Sequence, residues 1–166
     1  MATITSPIGL LEVQVSPIGV SRVRIINPEG AFSTSASNEL EQSALFMSVV
    51  EEIQAYFLGA LRCFSVPLDF SGLGEFQSKV LDAAQSIPFG EIKTYAQIAK
   101  FVGRPGAARA VGTSLARNQL LLLVPCHRVV GSDQKMHGFA SPDGINTKIW
   151  LLHHEGHEIV NGKLLR

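Results

Sequence analysis

Residues 94–118, TYAQIAKFVGRPGAARAVGTSLARN, hold two short helical patterns that cannot join into one helix. Thr94 is placed to cap the first, Ile98, Ala99 and Val102 recur on one inward face, and Gly103 supplies a stop. Pro105 cannot continue a helix, so the chain turns through Gly103, Arg104, Pro105 and Gly106. Ala107, Ala108, Val111 and Leu115 then set a second inward face, and the whole reads as a helix-turn-helix. The second helix has a thin surface: Ala107, Ala110, Gly112 and Ser114 offer no long donors for base edges in a major groove. Such a surface suits either close helix packing or entry into a minor groove, where Arg109 is the one long side chain able to reach a base stack.

Charge separates along the chain in a way the net value of +0 conceals. Residues 1–73 carry 3 Lys/Arg against 7 Asp/Glu, and residues 74–166 carry 11 against 7. Between Ile92 and Ser132 there is no acidic residue, whereas Lys93, Lys100, Arg104, Arg109, Arg117 and Arg128 all fall there. A polyanion would be met by this half, although a solvated face of mixed charge accounts for six basic residues equally well.

Directly downstream lies LLLLVPCHRVVG, residues 120–131. A cysteine ending an aliphatic run is usually core filler, and Cys63 in LRCFSVPLDF is read that way. Cys126 differs because His127 and Arg128 follow it and basic residues surround it, an environment expected to lower a thiol pKa. Neighbours on a strand face opposite ways, so Cys126 and His127 are not expected to bond directly. Pro125 is expected to break the strand, with a water carrying the proton between the two side chains. HHEGH at 153–157 is one residue short of a zinc-protease motif, and Gly156 should end the helix carrying it, so no metal is expected. Glu155 is instead the carboxylate that could orient a histidine and complete a Cys/His/Glu relay.

The remainder points to two domains, 1–72 and 73–166, in a mixed α/β (α+β) chain. Leu11, Val13 and Val15, then Val20, Val23 and Ile25, alternate as a hairpin turning at Pro17, Ile18 and Gly19. NPEGAFSTSASNE reads as a loop, and Leu40 to Leu61 as a helix with Leu45, Val49, Ile53 and Phe57 inward. PLDFSGLG, residues 67–74, is the linker, and Phe76, Val80, Ala83 and Ala84 open another helix ending before Ile87. With 46% hydrophobic and 17% charged residues the chain is expected to be globular. Its longest aliphatic run is far below the ~20 residues of a membrane helix. Two cysteines and no secretory signal pattern suggest an intracellular setting with reduced thiols.

VPCHRVVG, with TYAQIAKFVGRPGAARAVG upstream and IWLLHHEG downstream, resembles the O6-alkylguanine-DNA alkyltransferases, or methylated-DNA:protein-cysteine methyltransferases. Weaker likeness in SPIGLLEV, YFLGALRCFSVPLDF and FQSKVLDAAQSIPFGEIKTY extends it over nearly the whole chain. The resemblance implies an N-terminal ribonuclease-H-like domain and a C-terminal winged helix-turn-helix domain. It implies single-turnover repair in which Cys126 takes the alkyl group from O6-alkylguanine, or from O4-alkylthymine, in double-stranded DNA. By the same resemblance His127 deprotonates Cys126 through water, Glu155 holds His127, and Asn118 is the hinge before the active-site loop. Arg109 fills the gap left by a flipped nucleotide, and Tyr95 assists flipping and donates to the guanine leaving group. The backbone of Cys126, Val129 and Ala140 reads the base, and Thr94, Ala107, Ala108, Gly112 and Arg128 complete the DNA contacts. No cofactor, metal or membrane is implied. A monomer bound through the minor groove is expected, cooperative binding being left open, at the nucleoid in a prokaryotic cytoplasm or in a eukaryotic nucleus. GFASPDGI at 138–145 departs from the family's glycine pair, and Leu81 stands where tryptophan is common, which leaves the preferred alkyl size open. Two other readings, a DNA-binding regulator without chemistry and a cysteine hydrolase using Cys126, His127 and Glu155, would not move labelled alkyl onto the protein.

Overall fold

The computed structural model describes residues 2–27 and 43–165, which fall into two compact units. The first comprises residues up to Ser71 together with Gln119–Leu121, and the second takes Gly72–Asn118 and the chain from Leu122 onward.

The first unit is built on an antiparallel meander of β1 (Ala2–Ser6), β2 (Gly9–Val15) and β3 (Val20–Ile26). Its two turns are the two copies of Ser-Pro-Ile-Gly at 6–9 and 16–19, so the short sequence echo is one turn chemistry used twice. In each the serine Oγ donates to the glycine carbonyl, Ser6 to Gly9 at 2.6 Å and Ser16 to Gly19 at 3.1 Å. Gly19 is needed for space: a Cβ there would come within 2.7 Å of Pro67 O, whose carbonyl takes the Val20 N–H at 2.8 Å. Helix α1 (Ala44–Phe57) begins at Ser43, whose Oγ accepts the Phe46 N–H, and ends four residues before Leu61. Leu11, Val13, Val20 and Val23 from the sheet and Val49, Ile53 and Tyr56 from α1 are all fully buried, forming the core. The loop expected at 27–39 lies, apart from its first residue, outside the described residues, as does the start of the Leu40 helix. Gln119–Leu121 runs parallel beside β3, with Val23 N–H donating to Gln119 O and Leu121 N–H to Val23 O.

The second unit opens with α2 (Glu75–Gln85), which buries Val80, Leu81, Ala83 and Ala84. A two-residue strand β4 (Lys93–Thr94) leads into α3 (Tyr95–Phe101), and α4 (Ala108–Ala116) follows the Gly-Arg-Pro-Gly turn. Thr94 forms a full capping box with Gln97, each side chain satisfying the other's backbone N–H. Beyond α4 the aliphatic run does not form the strand expected to end at Pro125. Leu122 adopts φ +70°, a conformation L side chains rarely take, and Cys126–Arg128 is a 3₁₀ turn. It feeds β5 (Val129–Val130), which pairs parallel with β4. Helix α5 (Ile145–His154) and the hairpin β6 (Ile159–Val160) and β7 (Lys163–Leu164) close the unit. Val130, Met136, Leu152 and Leu164 pack together there, flanked by Ile92, Ile149 and Ile159.

Candidate active site

Four elements of the second unit converge on one buried polar cluster. Gly156, at φ +89°, stops α5 and leaves Glu155 as its C-terminal cap, with the carboxylate turned into the interior. The 3₁₀ turn presents His127 and Arg128 to it. His127 Nε2 lies 2.8 Å from Glu155 Oε1, Arg128 Nε donates to Oε2 at 2.8 Å, and Arg128 Nη2 donates to Oε1 at 2.9 Å. Arg128 Nη1 also donates to Ile87 O at 2.5 Å, the carbonyl presented by the loop after α2.

These contacts settle the proton positions. Burial alone would raise the Glu155 carboxyl, but hydrogen bonds and charge from His127 and Arg128 outweigh it and hold the group well below the usual carboxylate range. An ionised carboxylate only accepts, so a neutral His127 carries its proton on Nε2 and exposes a lone pair on Nδ1. Burial lowers the His127 pKa despite Glu155, which favours that neutral form. His127 Nδ1 has no hydrogen-bond partner among the described residues.

Cys126 shares the turn with His127, so the two are not held on opposite faces as strand neighbours would be. Asn118, just past α4, bridges back to it: Nδ2 donates to Val124 O at 3.0 Å and to Cys126 Sγ at 3.3 Å. Contrary to the expectation from its basic neighbours, the Cys126 pKa is raised. Burial dominates, and the Asn118 hydrogen bond, the Lys148 charge and the backbone amides of Cys126 and His127 oppose it only in part. Lys148 was missed in the sequence. It lies two helical turns before Glu155, on the same face of α5, a spacing that could have signalled it. It is fully buried, Nζ donates to Val129 O at 2.6 Å, and the ammonium stands 5.8 Å from the centre of the Tyr95 ring. Burial pulls it down to about 8 against the pull of Cys126.

An open cleft of about 800 Å³ lies between α3 and α4 on one side and residues 131–140 on the other. Tyr95, Ala108, Arg109 and Gly112 line the first wall and Ala140 the second. Tyr95 links cleft and thiol: it lines the cleft, and burial and the charge of Cys126 both raise its pKa. Four of the residues expected to contact DNA, Thr94, Ala107, Arg128 and Val129, are not among those lining the cleft. Arg128, with a side chain only 6% exposed, is spent on Glu155, because a guanidinium this deep needs a counterion. Val129 is fully buried and engaged with β4 and Lys148, while Thr94 and Ala107 flank the cleft as helix caps. Cys63, expected in a core, is exposed, and His153 Nδ1 meets His157 O at 2.9 Å within HHEGH.

A buried thiol beside a histidine held in one tautomer, in a unit built on a helix-turn-helix, fits a DNA-binding protein that carries a cysteine nucleophile. Residues 1–70 match the 6-O-methylguanine DNA methyltransferase ribonuclease-like domain, and residues 75–157 match the DNA binding domain of the same family. The methylated-DNA–protein-cysteine methyltransferase of Mycobacterium leprae (strain TN) is 36% identical over 160 residues, 96% of this chain and 94% of that protein. That of Methanosarcina acetivorans is 38% identical over 155 residues, 93% and 97% of the two chains. The crystal structure of Mycobacterium tuberculosis OGT in complex with DNA superposes with a TM-score of 0.78 at 38% identity, over 92% of this chain and 90% of that one. The chain belongs to the O6-alkylguanine-DNA alkyltransferase (methylated-DNA–protein-cysteine methyltransferase) family, with its N-terminal ribonuclease-H-like and C-terminal winged helix-turn-helix domains. Its activity is direct-reversal DNA repair, the suicidal transfer of an alkyl group from O6-alkylguanine to a cysteine.

Proposed function

We propose that Cys126 is the accepting cysteine and that the damaged nucleotide reaches it by leaving the duplex, with α4 entering from the minor groove. The observation that carries this is the cluster itself: a buried thiol bonded to Asn118, in one turn with a histidine whose only unpartnered nitrogen is Nδ1. His127 Nδ1 takes the Cys126 proton through one bridging water, and Glu155 stabilises the imidazolium. The thiolate attacks the alkyl carbon, the carbon–O6 bond breaks, and its electron pair passes into the guanine ring. The ring then takes a proton from the Tyr95 hydroxyl, and the proton held on the His127 imidazolium returns through solvent to the Tyr95 phenolate. The products are a thioether and an unmodified guanine. A thioether has no easy hydrolytic exit, which makes the protein single-use.

Flipping a base costs a few kcal/mol, so the groove-side helix must hold the gap open. Small residues on α4 let its backbone approach closely, and Arg109, exposed on the cleft wall, is the side chain that fills the vacated stack. O4-alkylthymine presents the same alkyl–oxygen bond and is a second substrate. The protein acts as a monomer. Incubation with duplex DNA carrying labelled O6-methylguanine tests the assignment: Cys63→Ala transfers label normally and Cys126→Ser transfers none. Transfer by Cys126→Ser would overturn it.

A further inference from the structure

The two walls of the cleft are built differently. One is helical. The other, residues 131–140, is fastened at two levels. Its backbone is tied to the β6–β7 hairpin, with Met136 N–H donating to Gly162 O at 3.0 Å and Leu164 N–H to Gln134 O at 3.1 Å. Its side chains are tied to each other: Asp133 Oδ1 accepts the Lys135 N–H at 3.1 Å and lies 3.1 Å from His137 Nε2. That pair folds directly over Gly131, where an added Cβ would overlap both Asp133 Oδ1 and His137 Nε2. Gly131 is not among the positive-φ residues, so glycine serves here to make room. Gly131, Asp133 and His137 all line the cleft, and Gly138, Phe139 and Ala140 follow His137 along the same wall.

We propose that Gly131, Asp133 and His137 form a clasp that sets the size of O6 adduct the cleft accepts. Closed, it holds the 138–140 wall against the helical side and favours small alkyl groups. Released, it lets that wall retreat and admits bulky ones. This deepens the reading of Cys126 as acceptor and rests on it. The clasp is made of exposed side chains, so it biases the wall and does not lock it.

Two variants separate release of the clasp from simple loss of volume. Asp133→Ala removes the partner of His137. Gly131→Ala adds a methyl group to the wall and keeps both clasp residues, but the methyl must displace the ends of their side chains. Single-turnover rates are measured on duplexes carrying O6-methylguanine or O6-benzylguanine, with folding checked by circular dichroism. The benzyl-to-methyl rate ratio rises in both variants, by about fivefold, the upper range of what an exposed pair can bias. A ratio unchanged or lowered in Gly131→Ala overturns the clasp, even if Asp133→Ala raises it, since the latter alone is what lost volume would give. Failure of the Cys126 assignment would show separately, as wild-type protein that transfers nothing to Cys126.

Discussion

Replacing Glu155 by glutamine keeps the shape of the side chain and removes its charge, and the structure gives the consequence. The carboxylate presents Oε1 to His127 Nε2 and Arg128 Nη2, and Oε2 to Arg128 Nε and, at 3.4 Å, Gly90 N. A glutamine has one acceptor oxygen. If it faces His127, the amide NH₂ meets Arg128 Nε donor to donor; turned over, the NH₂ meets Arg128 Nη2. His127 can change tautomer to suit, but Arg128 cannot, and it is left as a buried charge without a counterion. Breaking a buried pair in this way costs about 3–5 kcal/mol, a large share of the ~5–15 kcal/mol that holds a typical protein together. Trp150, the chain's only tryptophan, sits on α5 with Glu155 at its end, so its fluorescence during urea unfolding reports on this unit. Adding Arg128→Met to Glu155→Gln should recover part of the loss, because the orphaned charge goes with it. A loss below about 1 kcal/mol for Glu155→Gln, at an unchanged urea dependence, would refute the argument.

The same cluster makes stability fall in acid. His127 is held below its ordinary value, so from about pH 6.5 downward the unfolded chain takes up a proton that the native state resists. Glu155 is also held low, so its contribution is complete above the unfolded value near 4.3 and drains away as pH falls toward its folded value. The stability gap between wild type and Glu155→Gln should therefore narrow below about pH 4; a gap that widens there would contradict the assignment.

Three further outcomes are expected. Arg109→Ala should slow repair of duplex DNA markedly while reaction with free O6-benzylguanine falls much less, and equal losses would point to a folding role. Lys148→Met removes a positive charge that favours the Cys126 thiolate, so the pH profile of transfer should move to higher pH, and an acid shift would count against it. Thr94→Ala breaks the capping box of α3 and should cost about 1 kcal/mol, or about 2–4 °C in Tm. Lost duplex repair with Tm unchanged would instead make Thr94 a DNA contact.

What the sequence disclosed followed the range over which its signals act. The helix-turn-helix was legible because Gly103, Pro105 and Gly106 interrupt two helical periods within one short stretch, and β2 and β3 because their apolar residues alternate. Strand β1 was not, since Ile4 is its only buried residue and one position makes no pattern. The two-residue strands β4 and β5 are too short for any periodicity and exist through their pairing. The Cys126, His127 and Glu155 cluster was visible as residue types, but the sequence carries no direction for a side chain. Arg128, adjacent to the thiol and basic, read as a DNA contact until the depth of Glu155 drew it inward. Cys63 read as core from its apolar neighbours, yet its segment forms bends in which Val66 is buried and Cys63 is left exposed.

Peptide mass spectrometry after reaction with excess O6-methylguanine duplex measures directly whether alkyl transfer ends on Cys126. Cys63 serves as an internal control, because an exposed thiol would be the more available to any nonspecific alkylation. The expected result is one methyl group per protein molecule, carried by the peptide containing Cys126, with Cys63 unmodified. Methylation of Cys63 in place of Cys126, or continued conversion of substrate after every molecule has reacted once, would contradict it.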